Sequence, residues 1–169
     1  MKKQIQLAGF GGQGIVLSGV ILGEAAIMDG LNAVQTQSYG PESRGGAARS
    51  DVIISDAPID YPKVVAPDIL VALSQPAWDR YRGDVGKKAL VIVDSDLVES
   101  DDAALGVPFS SLADELGRRI VANVIMLGTL AKVSGCVTRA SLERAVLKSI
   151  PKGTEALNLE ALEVGFRSG

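Results

Sequence analysis

Histidine is absent from the 169 residues and cysteine occurs once, as Cys136. The first absence removes the side chain that most often acts as general base near neutral pH and most often binds metals. The second excludes a cysteine-held iron–sulfur cluster, a cysteine zinc site and an internal disulfide, each of which needs more than one thiolate. Cys136 follows Gly135 at the end of an apolar segment, with no imidazole to activate it, and reads as a buried structural thiol. No residue is assigned a catalytic role and none a metal. Aromatic residues make up only 4% of the chain against 47% hydrophobic residues, so the core must be built from Ala, Val, Leu and Ile. A net charge of −3, a pI near 5.0 and the lack of a basic run give no sign of nucleic acid or of a membrane surface as partner. The Met1-Lys2-Lys3 start lacks a signal peptide's apolar core, and no stretch reads as apolar and long enough to span a bilayer. The expectation is a cytoplasmic protein, with residues 1–169 forming one domain that buries roughly 70% of its unfolded surface.

What the chain has is glycine at a telling place. Gly9-Phe10-Gly11-Gly12-Gln13-Gly14 follows an apolar run and precedes Ile15 to Met28, a proline-free segment of helical character. A glycine turn between strand and helix presents free backbone N–H groups at a helix N-terminus, a site for phosphate or another anion. The spacing fits G-x-G-x-x-G, the dinucleotide fingerprint. That reading also asks for an acid at the tip of the second strand. Here the second strand, Asn32 to Ser38, ends in Ser38-Tyr39-Gly40-Pro41, and Glu42 falls later, in a turn. NAD is therefore the weaker reading, and the loop reads equally as an anion site and as a tight turn without a ligand.

Strands and helices alternate, which predicts an α/β fold: a Rossmann-like, three-layer, mostly parallel open sheet with helices on both faces. Strands are expected at Gln4–Ala8, Asn32–Ser38, Ala48–Ser55, Ile69–Leu73, Ala89–Val93 and Val107–Phe109, with residues 56–62 a candidate short edge element. Ser74 or Gln75 caps a helix with Pro76 in its first turn. Ser111 to Asp114 carries a capping-box pattern. Helices are expected over Ile120–Val133, from Thr138 to about Ile150, and from Asn158, with Leu159, Leu162 and Phe166 on one face. Asp94 and Asp96 close the cleanest strand and suit a metal or a ribose, but turn formation and capping is the preferred reading. Two helices, Ile15–Met28 and Ile120–Val133, are apolar on nearly every side. Such helices are either enclosed or form a subunit interface, and the sequence leaves both open.

The second unusual segment is Gln35 to Gly46. Polar Gln35, Gln37 and Ser38 are out of place in a strand buried in a parallel sheet, so something polar should face them. Arg44 offers a planar, permanently charged fork for phosphate or carboxylate, and Gly45-Gly46 permits close approach. If both loops lie at the carboxyl edge of adjacent strands, they share one anionic ligand or one partner surface. The bland alternative pairs Arg44 with Glu42 in a surface turn.

Together, Leu7 to Gly14 and Gln37 to Gly46 resemble the gamma subunits of the 2-oxoacid:ferredoxin oxidoreductases. The similarity runs on through Asp51–Ser55, Pro67-Asp68, Ala122–Gly128 and the terminal helix, with wording nearest the 2-oxoglutarate or branched-chain type. The beta subunit of indolepyruvate ferredoxin oxidoreductase is the nearest confusable relative, and a stand-alone nucleotide-binding Rossmann domain is the rival from another class. The resemblance implies a subunit of an oxidoreductase complex converting a 2-oxoacid, coenzyme A and oxidised ferredoxin to acyl-CoA, carbon dioxide and reduced ferredoxin. It further implies alpha, beta and delta partner subunits that hold thiamine diphosphate and iron–sulfur clusters, with ferredoxin met indirectly. Coenzyme A binding and assembly against a partner are competing roles for the two loops, and both stay open; a homo-oligomer of the isolated chain, its apolar helices covering each other, is a further alternative. The candidate cofactor-binding residues are Gly9, Gly11, Gly12, Gln13 and Gly14 in the first loop and Ser38, Tyr39, Glu42, Arg44 and Gly45 in the second. Arg49 is a further candidate to neutralise phosphate.

Overall fold

The computed structural model describes residues 1–38 and 47–169. Six strands, β1 (Lys2–Gly9), β2 (Asn32–Gln37), β3 (Ala48–Ser55), β4 (Ile69–Ala72), β5 (Leu90–Asp94) and β6 (Leu105–Val107), form one sheet in the order β2-β3-β1-β4-β5-β6. β1, β4, β5 and β6 pair in parallel, whereas β3 runs antiparallel to both β1 and β2. The helices are α1 (Ile15–Met28), α2 (Gln75–Tyr81), α3 (Phe109–Glu115), α4 (Ala122–Ser134), α5 (Arg139–Ser149) and α6 (Glu155–Arg167).

Alternation along the strands splits the core in two. Ile5, Leu7, Val52, Ile54, Ile69, Val71 and Ile92 face one side and join the buried residues of α1, α3, α4, α5 and α6. Ala8, Leu70, Ala72, Val91 and Val93 face the other side, where Ala77 and Tyr81 of α2 meet them. Helices thus cover both faces, as expected, but unequally. Each fully buried Leu or Ile contributes about 2 kcal/mol through removal from water, so the helix-rich face carries most of the stability.

Gly30 (φ +81°) and Gly135 (φ +61°) close α1 and α4 in the left-handed region, and Gly117 (φ +90°) follows α3. Ser74 caps α2 by accepting from the Ala77 N–H at 3.2 Å, and Thr138 caps α5 by accepting from Ser141 N–H at 3.3 Å. Several expectations are corrected. Residues 56–62 form no strand. Strand β6 ends at Val107, because Pro108 opens α3; Phe109 therefore begins a helix, and Ser111–Asp114 lies inside it rather than at its start. The last helix begins at Glu155, so Asn158 is internal: its Nδ2 donates to Thr154 O at 3.0 Å, and Asn158, Ala161, Leu162 and Gly165 form the buried face while Leu159 is exposed.

Direction is the main surprise. β2 is not an inner parallel strand but the sheet's edge, hydrogen-bonded to β3 alone. Its polar residues fit that position. Gln35 Nε2 donates to Ser50 Oγ at 2.8 Å, and both lie under α1 at Gly19, where a Cβ would come within 2.0 Å of Ser50 Oγ. The two all-apolar helices part company. α4 is buried throughout Asn123–Ala131, walled by α1, α3, α5 and α6. α1 is buried on one side but leaves Val16, Leu17, Val20 and Ile27 exposed. The 18 residues Gly11–Met28 also reach the length and hydropathy of a bilayer-crossing segment, contrary to expectation, although α1 packs its inner side against β2, β3 and α5.

Hydrogen bonds at Asp29 tether the end of α1 to the start of α5. The Asp29 carboxylate accepts from Thr138 N–H at 2.7 Å, Thr138 Oγ1 at 2.6 Å and Ser141 Oγ at 2.6 Å. Burial alone would raise this carboxyl, but the bonds from Ser141 and Thr138 outweigh it and hold it below the ordinary carboxylate range. A depressed folded-state pKa stabilises above the unfolded value and is lost as pH falls through the folded one. Asp29→Ala is therefore expected to cost about 1–2 kcal/mol at neutral pH. In urea titrations, the gap to the parent protein should close in acid.

Candidate functional site

The chain leaves β1 through α1 towards β2 and β3 on one side, then returns to place β4 on β1's other side. The carboxyl ends of β1 and β4 therefore diverge, and such a switch point is where open α/β sheets bind ligands. A crevice of about 450 Å³ opens there, lined by Phe10, Gly12, Gln13, Leu73, Asp94, Leu97, Phe109, Ser110, Arg119, Ile120, Ala122 and Asn123.

The glycine loop forms its wall. After Gly9, Gly11–Gln13 makes one tight 3-10 turn, and Gly14 (φ 72°, ψ 32°) reverses the backbone into α1. Gln13 braces the loop: its Oε1 accepts from Phe10 N–H at 2.6 Å and its Nε2 donates to Leu73 O at 2.9 Å, tying the end of β1 to the end of β4. Ser18 Oγ donates to Gly14 O at 2.8 Å, fixing the first turn of α1.

The glycines divide into two kinds. A Cβ at Gly9 would lie 2.3 Å from Gln13 Oε1, and one at Gly14 would lie 2.6 Å from Asn123 Nδ2, with the positive φ as a further obstacle. Gly11 and Gly12 are exposed, neither has a positive φ, and a Cβ on either would meet nothing within 4 Å. The fold itself thus explains Gly9 and Gly14 but makes no demand at Gly11 and Gly12. Bare backbone there suits the close approach of something outside the chain. Gly14→Ala is expected to cost about 2 kcal/mol or more, whereas Gly11→Ala should stay within about 0.5 kcal/mol of the parent in thermal melts.

The crevice floor is acidic. Asp94 is 2% exposed, its Oδ1 accepts from Asp96 N–H at 3.0 Å and its Oδ2 from Ser110 Oγ at 2.6 Å. Burial raises this carboxyl, with the Ser110 hydroxyl and Asp96 N–H pulling the other way. Asp96 Oδ2 accepts from Ser111 N–H at 2.7 Å in the first turn of α3. The pair thus makes a turn and a cap, as preferred from sequence. At the mouth, Arg119 forks onto Asp114 through Nε at 2.9 Å and Nη2 at 2.6 Å. With its one guanidinium committed and Asp94 below, the crevice interior disfavours a phosphate. An anion is better met at its rim, by the Gly11-Gly12 backbone.

Of the second-loop candidates, Tyr39, Glu42, Arg44 and Gly45 lie outside the described residues. Ser38 donates its N–H to Arg49 O at 3.0 Å at the end of β2. The two loops do not follow adjacent strands, because β3 separates β2 from β1. The same separation removes the NAD reading further, since even an acid at the tip of β2 would be one strand too distant. Arg49 stands opposite Ala8, 3.4 Å from Asp51 Oδ2 and over the Tyr81 ring at 5.6 Å, and it does not line the crevice. Burial raises the Asp51 carboxyl against the opposing pull of Arg49 and Gln6. Cys136 is 1% exposed and burial pushes its thiol up, which fits a structural thiol. Among the described residues, no group of three or more His, Cys, Asp or Glu could hold a metal. Sequence reasoning missed Leu73, Phe109, Ser110, Arg119 and Asn123. Asn123 alone left a trace, as an amide at the head of an apolar helix.

Comparison with known proteins agrees with this fold. Over 174 residues the chain is 53% identical to the 2-oxoglutarate synthase subunit KorC of Methanocaldococcus jannaschii, covering 98% of this chain and 93% of that protein. The gamma subunit of a keto/oxoacid ferredoxin oxidoreductase from Geobacter sulfurreducens superposes with a TM-score of 0.91 at 41% identity, covering 99% of this chain and 96% of its own. The same fold recurs at TM-score 0.88 and 23% identity in the 2-oxoglutarate:ferredoxin oxidoreductase of Magnetococcus marinus, solved with 2-oxoglutarate, coenzyme A and succinyl-CoA bound. There it covers 98% of this chain but only 30% of the longer one. Residues 4–168 match the pyruvate ferredoxin/flavodoxin oxidoreductase family, and the chain belongs to it, on the gamma-subunit branch that its two loop motifs resemble.

Proposed function

We propose that the Phe10–Gly14 loop holds phosphate of coenzyme A within a 2-oxoglutarate:ferredoxin oxidoreductase of which this chain is the gamma subunit. The observation that carries the reading is the pair of exposed glycines, Gly11 and Gly12, that the fold does not require, with Gly12 lining the switch-point crevice. Coenzyme A supplies the thiol that accepts the acyl group. This chain's own part is to fix the carrier. Backbone N–H groups at the start of α1 meet the diphosphate, Gln13 keeps the loop from moving, and the acidic crevice floor keeps phosphate outside. Holding the thiol in place lowers the barrier by proximity, worth about 7–11 kcal/mol in the best intramolecular models. The chemistry of decarboxylation and electron transfer belongs to alpha, beta and delta partners carrying thiamine diphosphate and iron–sulfur clusters, which pass electrons to ferredoxin in the cytoplasm. Such a division of labour fits a chain with no histidine and one buried cysteine.

The test is reconstitution. The complex assembled with this chain should reduce viologen dye when given 2-oxoglutarate and coenzyme A, and titration calorimetry should show the complex binding coenzyme A more weakly when this chain is omitted. Equal binding with and without the chain would remove coenzyme A from its role and leave assembly. Turnover with pyruvate or a branched-chain 2-oxoacid in preference to 2-oxoglutarate would correct the substrate.

A further inference from the structure

The exposed side of α1 is a mainly apolar ridge. Val16 (40% exposed), Leu17 (41%), Val20 (37%) and Ile27 (60%) recur at helical spacing along its length. α1 has one charged residue, Glu24, and its carboxylate is turned to Lys148 Nζ at 3.5 Å. The ridge contains a notch. Gly23 has no side chain, a Cβ there would meet nothing within 4 Å, and Val20, Glu24, Ile27, Ala33 and Gln35 surround the gap. The ridge is also continuous with the crevice. Leu17 and Ile120 (57% exposed) line one shallow pocket, and Ile120 with Phe10 (45% exposed) lines the crevice mouth. Mainly apolar surface therefore runs from the rim of the candidate coenzyme A site along α1, with Arg118 and Glu24 at its margins.

Resting on the reading of the chain as a gamma subunit, we infer that this ridge is the permanent seat of the large subunit of the complex. That subunit is the separate chain corresponding to the part of the Magnetococcus marinus polypeptide outside this fold, about 70% of it, since the fold covers 30%. Where one polypeptide carries both parts, they are held together for the life of the protein. Permanent interfaces are apolar and depleted of charge at their centre, which is the character of this ridge. A patch meant for brief encounters would be ringed with charge to steer association. The notch at Gly23 takes one apolar side chain of that subunit. Because the ridge ends at Phe10 and Ile120, the seated subunit closes over the crevice mouth and makes the ligand site a joint one.

The experiment uses the assembled complex. The chain carries an affinity tag and is co-expressed with the other subunits; retention of the large subunit is then measured by pull-down and by light scattering. Val20→Asp with Ile27→Asp should weaken association by about 100-fold or more, as for truncation of a central apolar contact. Gly23→Leu, which fills the notch, should weaken it by about tenfold, and the isolated variant should melt at or above the parent's temperature because leucine favours helix over glycine. Tyr61→Asp, at an exposed residue in the segment between β3 and β4, should change nothing. Loss of the large subunit by a variant that melts normally supports the inference. Undiminished assembly of both ridge variants overturns it while leaving the gamma-subunit reading intact. Failure of the parent chain to bind any large subunit overturns both. Dispersal of a dimer of the isolated chain by Gly23→Leu, with the heteromeric complex unaffected, would assign the ridge to a second copy instead and overturn the inference.

Discussion

Gly165→Ala is expected to destabilise the chain by about 3 kcal/mol, even though alanine favours helix over glycine by roughly 1 kcal/mol. α4 and α6 cross with their backbones in contact. A Cβ on Gly165 would lie 2.1 Å from Ile125 O and 3.0 Å from Gly128 Cα; one on Gly128 would lie 2.6 Å from Leu162 O. None of these obstacles is a side chain that can swing away. The helices must part, and parting also stretches the bond from Thr129 Oγ1 to Gly165 O, now 2.9 Å. Separation would loosen α4, whose Val124 to Ala131 are buried without exception. For a chain of this size, the loss corresponds to a fall of about 6–12 °C in melting temperature. Gly128→Ala should behave alike, but the double variant should lose less than the sum, because one separation of the helices relieves both clashes. Strict additivity in a double-mutant cycle would show that the two glycines do not share one crossing point.

Neither glycine announced this in the sequence. Gly128 sits in an apolar run and Gly165 near the chain's end, and only the pairing of two distant helices gives them a common reason. Local signals were read well where the cause is local. The boundaries of α1 and β3 follow from an apolar run closed by turn residues, and Ser74 and Thr138 cap where their side chains can reach the next N–H groups. Strand direction is not a local property. Asp51-Val52-Ile53-Ile54 is buried on both faces, and such a run looks the same whether it pairs parallel or antiparallel. The clue was next door, in the polar residues of β2, which fit an edge and not an interior. Phe109 and Asn158 were misread for a related reason. An aromatic after Val-Pro suits a strand, and an asparagine suits a cap, until packing puts the first in a helix and the second inside one. The site shows the same division. Its glycine loop was legible as one contiguous stretch and Asp94 as a strand tip, whereas Leu73 after β4, Ser110 in α3, Arg119 before α4 and Asn123 in α4 are gathered only by the switch-point topology.

Gly12→Asp carries the largest functional effect. The position tolerates a side chain: its φ is not positive and a Cβ has open space within 4 Å. The isolated variant should therefore melt within about 1 °C of the parent, as surface substitutions commonly do. In the assembled complex the outcome should differ sharply. A carboxylate at Gly12 sets a negative charge where the diphosphate of coenzyme A would rest, beside a crevice that already holds Asp94. At a few ångströms and an effective dielectric of about 20, a single like-charge contact is worth about 4 kcal/mol, and screening at the exposed rim reduces it to about half. The KM for coenzyme A should rise by about 30-fold or more, with the KM for the 2-oxoacid unchanged, in viologen-reduction assays across both substrates. Gly12→Ala, which adds volume without charge, should give a much smaller rise. The pattern separates the two roles the loop can have. A loop that only docks against a neighbouring subunit would lose that subunit on Gly12→Asp, lowering the amount of active complex while the surviving fraction keeps the parent's KM. A rise in KM that falls away at high ionic strength, with subunit content intact, places an anion at the Gly11-Gly12 backbone.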